Sequence, residues 1–293
     1  MMHYGPETEK QIQNVVDVCQ KYGSSSIIAL SGVPATGKSY IAAIAAQRHA
    51  GEPTRVHEVQ FHQSFTYEEF VEGLRINEHG AVDPVPGVFL EWNNLAADDG
   101  ELNYVLLVEE LTRANLGSVL GELLTYVEHR DRQFLSMFSR TSSRVAPNLT
   151  ILATYNPVDR SAIDVDDALI RRLRIIDFPP SVELLEEMML RNGVSSHVIQ
   201  RLKGVFESCK TNFPSDYETL MPFGHGVFSE IRREDELFPL WQQRLRRMLY
   251  RPLLDPHAFA ETIEKHYPWT DPEYREPVPA GSPAEPTTPT SET

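Results

Sequence analysis

The stretch 30-LSGVPATGKSY-40 decides how this chain folds. It spells Gly, four residues, then Gly-Lys-Ser, directly behind the apolar run 26-SIIAL-30. A glycine-rich turn at the end of a buried strand points several backbone N–H groups inward, and the helix that follows adds the positive end of its dipole. Such a cradle binds phosphate. Gly32 and Gly37 permit close approach of the backbone, Lys38 reaches the outer phosphates, and the Ser39 hydroxyl suits Mg²⁺. Val33, Pro34, Ala35 and Thr36 within the loop, and Tyr40 behind the serine, complete the expected nucleotide-binding set. Both flanks fit, since 39-SYIAAIAAQRHA-50 reads as an Ala-rich helix.

Working outward, short apolar runs alternate with helical patterns. Strands are expected at 26-SIIAL-30, 56-VHEVQF-61, 104-YVLLV-108, 149-LTILAT-154 and 174-RIIDF-178. A helix is expected where Leu116, Leu120, Leu123, Leu124 and Val127 recur at helical spacing. Alternating strands and helices predict a mostly parallel sheet covered on both faces. Beyond Pro180 the strand signals stop and the chain reads as helices. From Pro268 onward, PWTDPEYREPVPAGSPAEPTTPTSET is Pro-rich and nearly free of aliphatic residues, which predicts a disordered tail.

Two further signals bear on chemistry. The run 104-YVLLVEEL-111 is an apolar strand ending in two carboxylates. Beside a phosphate cradle, Glu109 takes the metal-holding role and Glu110 the role of polarising the attacking water. The run 151-ILATYNPVDRS-161 is a strand whose end carries Asn156, an amide placed near the outermost phosphate. Taken alone, Asn-Pro is also an ordinary turn signal.

Composition bounds the alternatives. Of 293 residues, 41% are hydrophobic and 24% charged, the make-up of a globular protein with a real core. No apolar run approaches the ~20 residues of a membrane span, so no membrane association is expected. The first residues lack a basic region followed by an apolar one, so no signal peptide is read. Cys19 and Cys209 are the only cysteines, which fits a reducing cytoplasm. The net charge of −15 argues against broad non-specific contact with nucleic acid, leaving direct DNA contact open only for local patches.

With these signals in hand, the chain resembles the AAA+ NTPases, and within them the McrB-like group, over roughly residues 25–253. Besides the cradle, the resemblance rests on 60-QFHQSFTYEEFVEGL-74, 107-LVEELTRANLGSVLGELLTYVE-128, 154-TYNPVDRSAIDVDDALIRRL-173 and 223-FGHGVF-228, in that order. It implies an α/β fold: a P-loop AAA+ domain with a parallel five-stranded sheet over residues 1–180. A small α-helical lid domain over 181–267 follows, and then the disordered C-terminal tail, 268–293. It also implies ATP or GTP as substrate with Mg²⁺, and a ring, usually a hexamer, with sites between neighbours. By that pattern Asn156 senses phosphate, Asp159 and Arg160 face the site, and Arg171 or Arg172 reaches into the neighbour's pocket. Without the family pattern those two arginines read as the solvated end of a helix. The function implied is the motor subunit of a McrBC-like restriction or antiviral defence complex with a separate effector, such as a McrC-like nuclease. The alternative is a MoxR-like chaperone ATPase that remodels a protein partner.

The chain departs from the pattern in places. Glu109 stands where the group has Asp, one methylene shorter. Tyr155-Asn156-Pro157-Val158 is nearer the Asn-Pro of MoxR-like ATPases, which unsettles a preference for GTP. Ile170 replaces the first of three arginines. The residues before the cradle make about one helix, so target recognition is expected elsewhere. Residues 75-RINEHGAVDPVPG-87 read as a hairpin-like insert after a helix ending in EGL. Residues 130-RDRQFLSMFSRTSSR-144 form the most basic loop, suited to nucleic acid or an acidic partner, or simply a solvent-facing hairpin. His225 reads equally as a nucleotide sensor in the lid and as a satisfied structural residue.

Overall fold

A computed structural model describes residues 4–157, 171–250, 257–275 and 277. All five expected strands form one parallel sheet. In chain order, the strands are β1 (Ile27–Ser31), β2 (Val56–Gln60), β3 (Glu72–Ile76), β4 (Val82–Pro86), β5 (Tyr104–Glu109), β6 (Phe134–Leu135), β7 (Ser142–Ser143), β8 (Leu149–Tyr155) and β9 (Leu173–Asp177). The sheet runs β2-β5-β8-β1-β9, so β1 lies between β8 and β9, with Ile27 opposite both Ile151 and Leu173. Parallel neighbours need crossovers, and these cover both faces with apolar side chains.

The two-residue period of a strand sorts the core. Ile28, Leu30, Val105, Leu107 and Leu152 face helices α1 (Pro6–Tyr22) and α2 (Lys38–Ala50). Ile27, Ala29, Leu106, Val108, Ile151 and Ala153 face the other way, onto Phe61, Phe70, Phe89 and Leu120. Ala42, Ala45 and Ala46 are fully buried in α2, and their small size lets that helix lie close to the sheet. A third cluster gathers Leu185, Met189, Leu202, Phe206, Phe228, Leu245 and Ile263 in the helical C-terminal part, the lid.

Four expectations are corrected. The Leu116–Val127 pattern is not one helix: Leu116–Leu120 and Leu123–Tyr126 are separated at Gly121, whose φ of 50° breaks the turn. The segment ending in EGL is a single helical turn, Tyr67–Phe70, after which Gly73 and Leu74 enter β3 and pair with β4. The hairpin is thus longer than the insert read from sequence. The tail does not begin at Pro268, because Trp269 is buried in the lid core and its Nε1 donates to Glu234 at 2.9 Å. Tyr267 and Tyr274 flank it in ring contact. Aromatic burial there replaces the aliphatic residues whose scarcity suggested disorder. Residues 278–293 lie outside the described part of the chain.

The basic loop also reads differently in three dimensions. Arg130 is no surface cation: its guanidinium donates to the carbonyls of Val127, Ala146, Leu149 and Gly23 at 2.6–3.2 Å, and burial lowers its pKa to about 10. It fastens the end of α1 to the start of β8. The β6–β7 hairpin is held to β3 by buried Glu72, whose carboxylate accepts the backbone N–H groups of Phe138 and Ser139 at 2.8 and 2.9 Å. Among the described residues, no helix is long and apolar enough to cross a membrane.

Candidate nucleotide site

The cradle forms as its spelling predicts. β1 ends at Ser31, residues 32–37 make the turn, and α2 starts at Lys38. Gly37 has φ 86°, a conformation costly for any residue with a side chain. Ala35 adopts φ 62° all the same. A side chain on Gly32 would sit 2.3 Å from the carbonyl oxygen of Phe178, so the loop can pass the end of β9 only as glycine. Val33 is fully buried in the lid's core cluster, with Ala35 packed against it, and Thr36 donates to the Val33 carbonyl at 3.2 Å. Pro34 offers its carbonyl to the lid, as described below. Tyr40 is exposed, with its ring against that of Tyr4.

Lys38 lies along the loop, donating to the carbonyls of Gly32 at 2.8 Å and Val33 at 3.0 Å. Burial pulls its ammonium down to about 8, partly offset by Glu110 and Glu109. The polar residues of the site sit at the C-terminal ends of β1, β5 and β8, where open α/β sheets bind ligands. Ser39 donates to Glu109 Oε2 at 2.7 Å. The hydroxyl of Thr154, in β8, donates to the same oxygen. Glu110 follows at φ 57° and ψ 45°, a left-handed conformation that costs a residue with a side chain about 1–3 kcal/mol and gathers at functional sites. Its carboxylate meets Arg113 at 3.3 Å, and its backbone N–H approaches Thr154 Oγ1 at 3.4 Å. Half-buried Asn156 follows β8, the strand lying between the two acids and the cradle.

Among the described residues, no group of three or more His, Cys, Asp and Glu is placed to hold a metal ion. Mg²⁺ is commonly held by one or two protein oxygens together with substrate phosphates rather than by a protein cage. The joined Ser39 hydroxyl and Glu109 carboxylate are hard oxygen donors of that kind.

A family model described as AAA domain (dynein-related subfamily) matches residues 27–173, half of the chain and the part that carries the cradle, both acids and Asn156. The chain belongs to the AAA family. It is of McrB-like type, 36% identical over 260 residues to the Type IV methyl-directed restriction enzyme EcoKMcrB subunit of Escherichia coli (strain K12). That alignment takes in 83% of this chain and 56% of the relative, so the chain spans little over half of the relative's length. A solved structure of a candidate ATPase from Cytophaga hutchinsonii ATCC 33406 is 18% identical, with a TM-score of 0.37 over 72% of this chain and 71% of that one.

In this AAA+ domain the lid holds the cradle from behind. Gly224 N–H donates to the Pro34 carbonyl and Gly226 N–H to the Ala35 carbonyl, both at 2.7 Å. Between them buried His225 accepts the Ser181 N–H on Nδ1 at 3.2 Å, so its remaining proton sits on Nε2, which lies 3.9 Å from where a Cβ on Gly37 would be. Burial holds His225 down to about 4, and it stays neutral. The motif 223-FGHGVF-228 therefore matters through its two glycines as well as its histidine. Thr154 was the other residue that spacing did not single out, since a buried threonine in a strand carries no signal of its own.

The arginines behave otherwise. Arg171 and Arg172 precede β9, at the N-terminal end of the parallel sheet, about 15 Å of strand away from the cradle. They do not join the site of their own chain. Arg172 pairs with Glu128 at 3.2 Å, whereas Arg171 is exposed. Asp159 and Arg160, with Ile170, lie outside the described residues.

Proposed function

We propose that this AAA+ chain hydrolyses ATP or GTP as a ring-forming motor, with a hexamer as the expected assembly, in a McrBC-like restriction or defence complex with a separate effector subunit. The observation that carries the reading is the joined site, with Lys38 on the cradle and Ser39 bonded to Glu109 beside a strained Glu110. The McrB relative, a subunit by its own description, favours this setting over a MoxR-like chaperone. A McrC-like nuclease fits as effector, and cytoplasmic location follows from that role.

In the mechanism, the cradle N–H groups and Lys38 bind and orient the phosphates, Lys38 exchanging its two loop carbonyls for phosphate oxygens. Ser39 and Glu109 would hold Mg²⁺, which would supply positive charge to the outer phosphate oxygens. Glu110 accepts the proton of the attacking water once it leaves Arg113, and Asn156 holds the water or the outer phosphate by hydrogen bonds. Asp159 and Arg160 complete the facing motif. The exposed Arg171, or Arg172 after release from Glu128, serves the neighbour's site, where an arginine stabilises charge on the transferring group.

Mixing tests this. The Arg171→Ala/Arg172→Ala double variant and the Glu110→Gln variant should each bind nucleotide and fail to turn it over, whereas a mixture regains activity through interfaces that are intact on both sides. A monomer with constant specific activity across a wide dilution series would refute the shared site.

A further inference from the structure

We propose that Thr154 is a positioning residue for both acids at the end of β5, and that it is what lets a glutamate serve at position 109. The proposal rests on the reading of Glu109 as the metal-side acid and Glu110 as the base. Thr154 is buried in β8, whose pairing with β5 ends at Val108 opposite Ala153, one position before Glu109 and Thr154. A hydroxyl has one proton to give and two lone pairs to receive with. Thr154 gives its proton to Glu109 Oε2 and faces the backbone N–H of Glu110 at 3.4 Å with a lone pair.

Glu109 Oε2 thus receives two hydroxyls, from Thr154 and from Ser39 at 2.7 Å. This leaves Oε1 as the oxygen with no hydroxyl donor among the described residues. A glutamate has one more rotatable bond than an aspartate and so one more way to point wrongly. Two donors on one oxygen remove that freedom. The same hydroxyl stands behind the strained peptide of Glu110, so one buried side chain sets the direction of both acids.

The test uses Thr154→Val, which keeps shape and strand preference while deleting the proton, and Thr154→Ser, which restores it. Fluorescent ATP and GTP analogues are titrated against the full chain, with chelator and with graded Mg²⁺, and turnover is measured in parallel. Thr154→Val should leave chelator-condition affinity within about twofold. It should raise the Mg²⁺ needed for the half-maximal gain in affinity, and lower kcat, each by about tenfold, the scale of one hydrogen bond to a charged group. Thr154→Ser should recover most of both. In a Glu109→Asp background the shorter acid does not reach Thr154, so Thr154→Val should there shift the Mg²⁺ requirement by less than about twofold, while the part of the kcat loss that comes from the Glu110 contact remains. Should valine prevent folding, judged by thermal melting, Thr154→Ala carries the same comparison. Wild-type Mg²⁺ dependence in Thr154→Val, failure of serine to rescue, or an equal shift in Mg²⁺ requirement in both backgrounds would overturn the proposal. If Glu109→Gln itself left Mg²⁺ dependence unchanged, the metal-side reading of Glu109 would fall first, and the positioning role with it.

Discussion

Replacing Gly224 by alanine probes the contact through which the lid shapes the cradle. The backbone there, φ −90° and ψ 178°, accepts any residue, so the effect is purely one of space. An added Cβ would lie 2.4 Å from the Ala35 carbonyl oxygen and 2.5 Å from Thr36 Cγ2. Ordinary contact requires a displacement of about 1 Å, and neither neighbour can yield cheaply, since Ala35 is backbone in a left-handed turn and Thr36 is buried. The lid then lifts from the loop, lengthening the 2.7 Å bonds from Gly224 and Gly226 to Pro34 and Ala35. Overpacking of this kind costs roughly 1–3 kcal/mol of stability. A misplacement of ~1 Å in a positioning element costs up to about 10²-fold in turnover. The assays are thermal or denaturant unfolding and steady-state hydrolysis. Gly204→Ala is the control, because Gly204 lies inside the helix Ser196–Asn212 with nothing within 4 Å of an added Cβ. It should stabilise by about 1 kcal/mol and leave turnover alone. Gly224→Ala with wild-type stability and turnover would refute a lid-shaped cradle.

Two further predictions concern pH. Lys38 titrates near 8 in the free protein, and bound phosphates keep it protonated, so nucleotide affinity should be flat below pH 8 and fall by up to about tenfold per unit above it. Calorimetry from pH 6.5 to 9.5 checks this, and constant affinity throughout would remove Lys38 from the phosphates. His225 stays neutral down to about 4, while in the unfolded chain it takes up a proton near 6.5, so its contribution is full above 6.5 and is lost as pH falls toward 4. Between pH 7.5 and 5 the wild type should lose about 2 kcal/mol more stability than His225→Gln, measured by denaturant unfolding at each pH. Equal losses would place His225 in contact with water.

The sheet was legible because its central strands β1, β5 and β8 are short apolar runs, with the edge strands β2 and β9 carrying enough Val, Leu and Ile to be read beside them, and the cradle because its spelling is tied to backbone geometry. The breaks were harder to read. Gly121 lies within a leucine pattern that continues in phase across it, so periodicity alone joins the two pieces. Glu72, Gly73 and Leu74 follow a capped helical turn, and only pairing with Pro86, Val85 and Pro84 makes them a strand. Arg130 looks like a surface cation in a basic loop until four carbonyls converge on it. Trp269 shows the opposite error, a core residue among prolines. At the site, sequence named the two acids but not the threonine that joins them, since those contacts span 45 and 44 residues of chain.

The central claim is that the cradle and the acids of β5 form one hydrolytic site. Phosphate release from ATP and from GTP, measured side by side for wild type, Lys38→Ala and Glu110→Gln with Mg²⁺ present, tests it most directly. Wild type should turn over at least one of the two nucleotides. Lys38→Ala should lose nucleotide binding. Glu110→Gln should keep binding and lose turnover by ~10²-fold or more, as expected when a positioned base is removed. Wild-type turnover in Glu110→Gln, or undiminished nucleotide affinity in Lys38→Ala, would contradict the account.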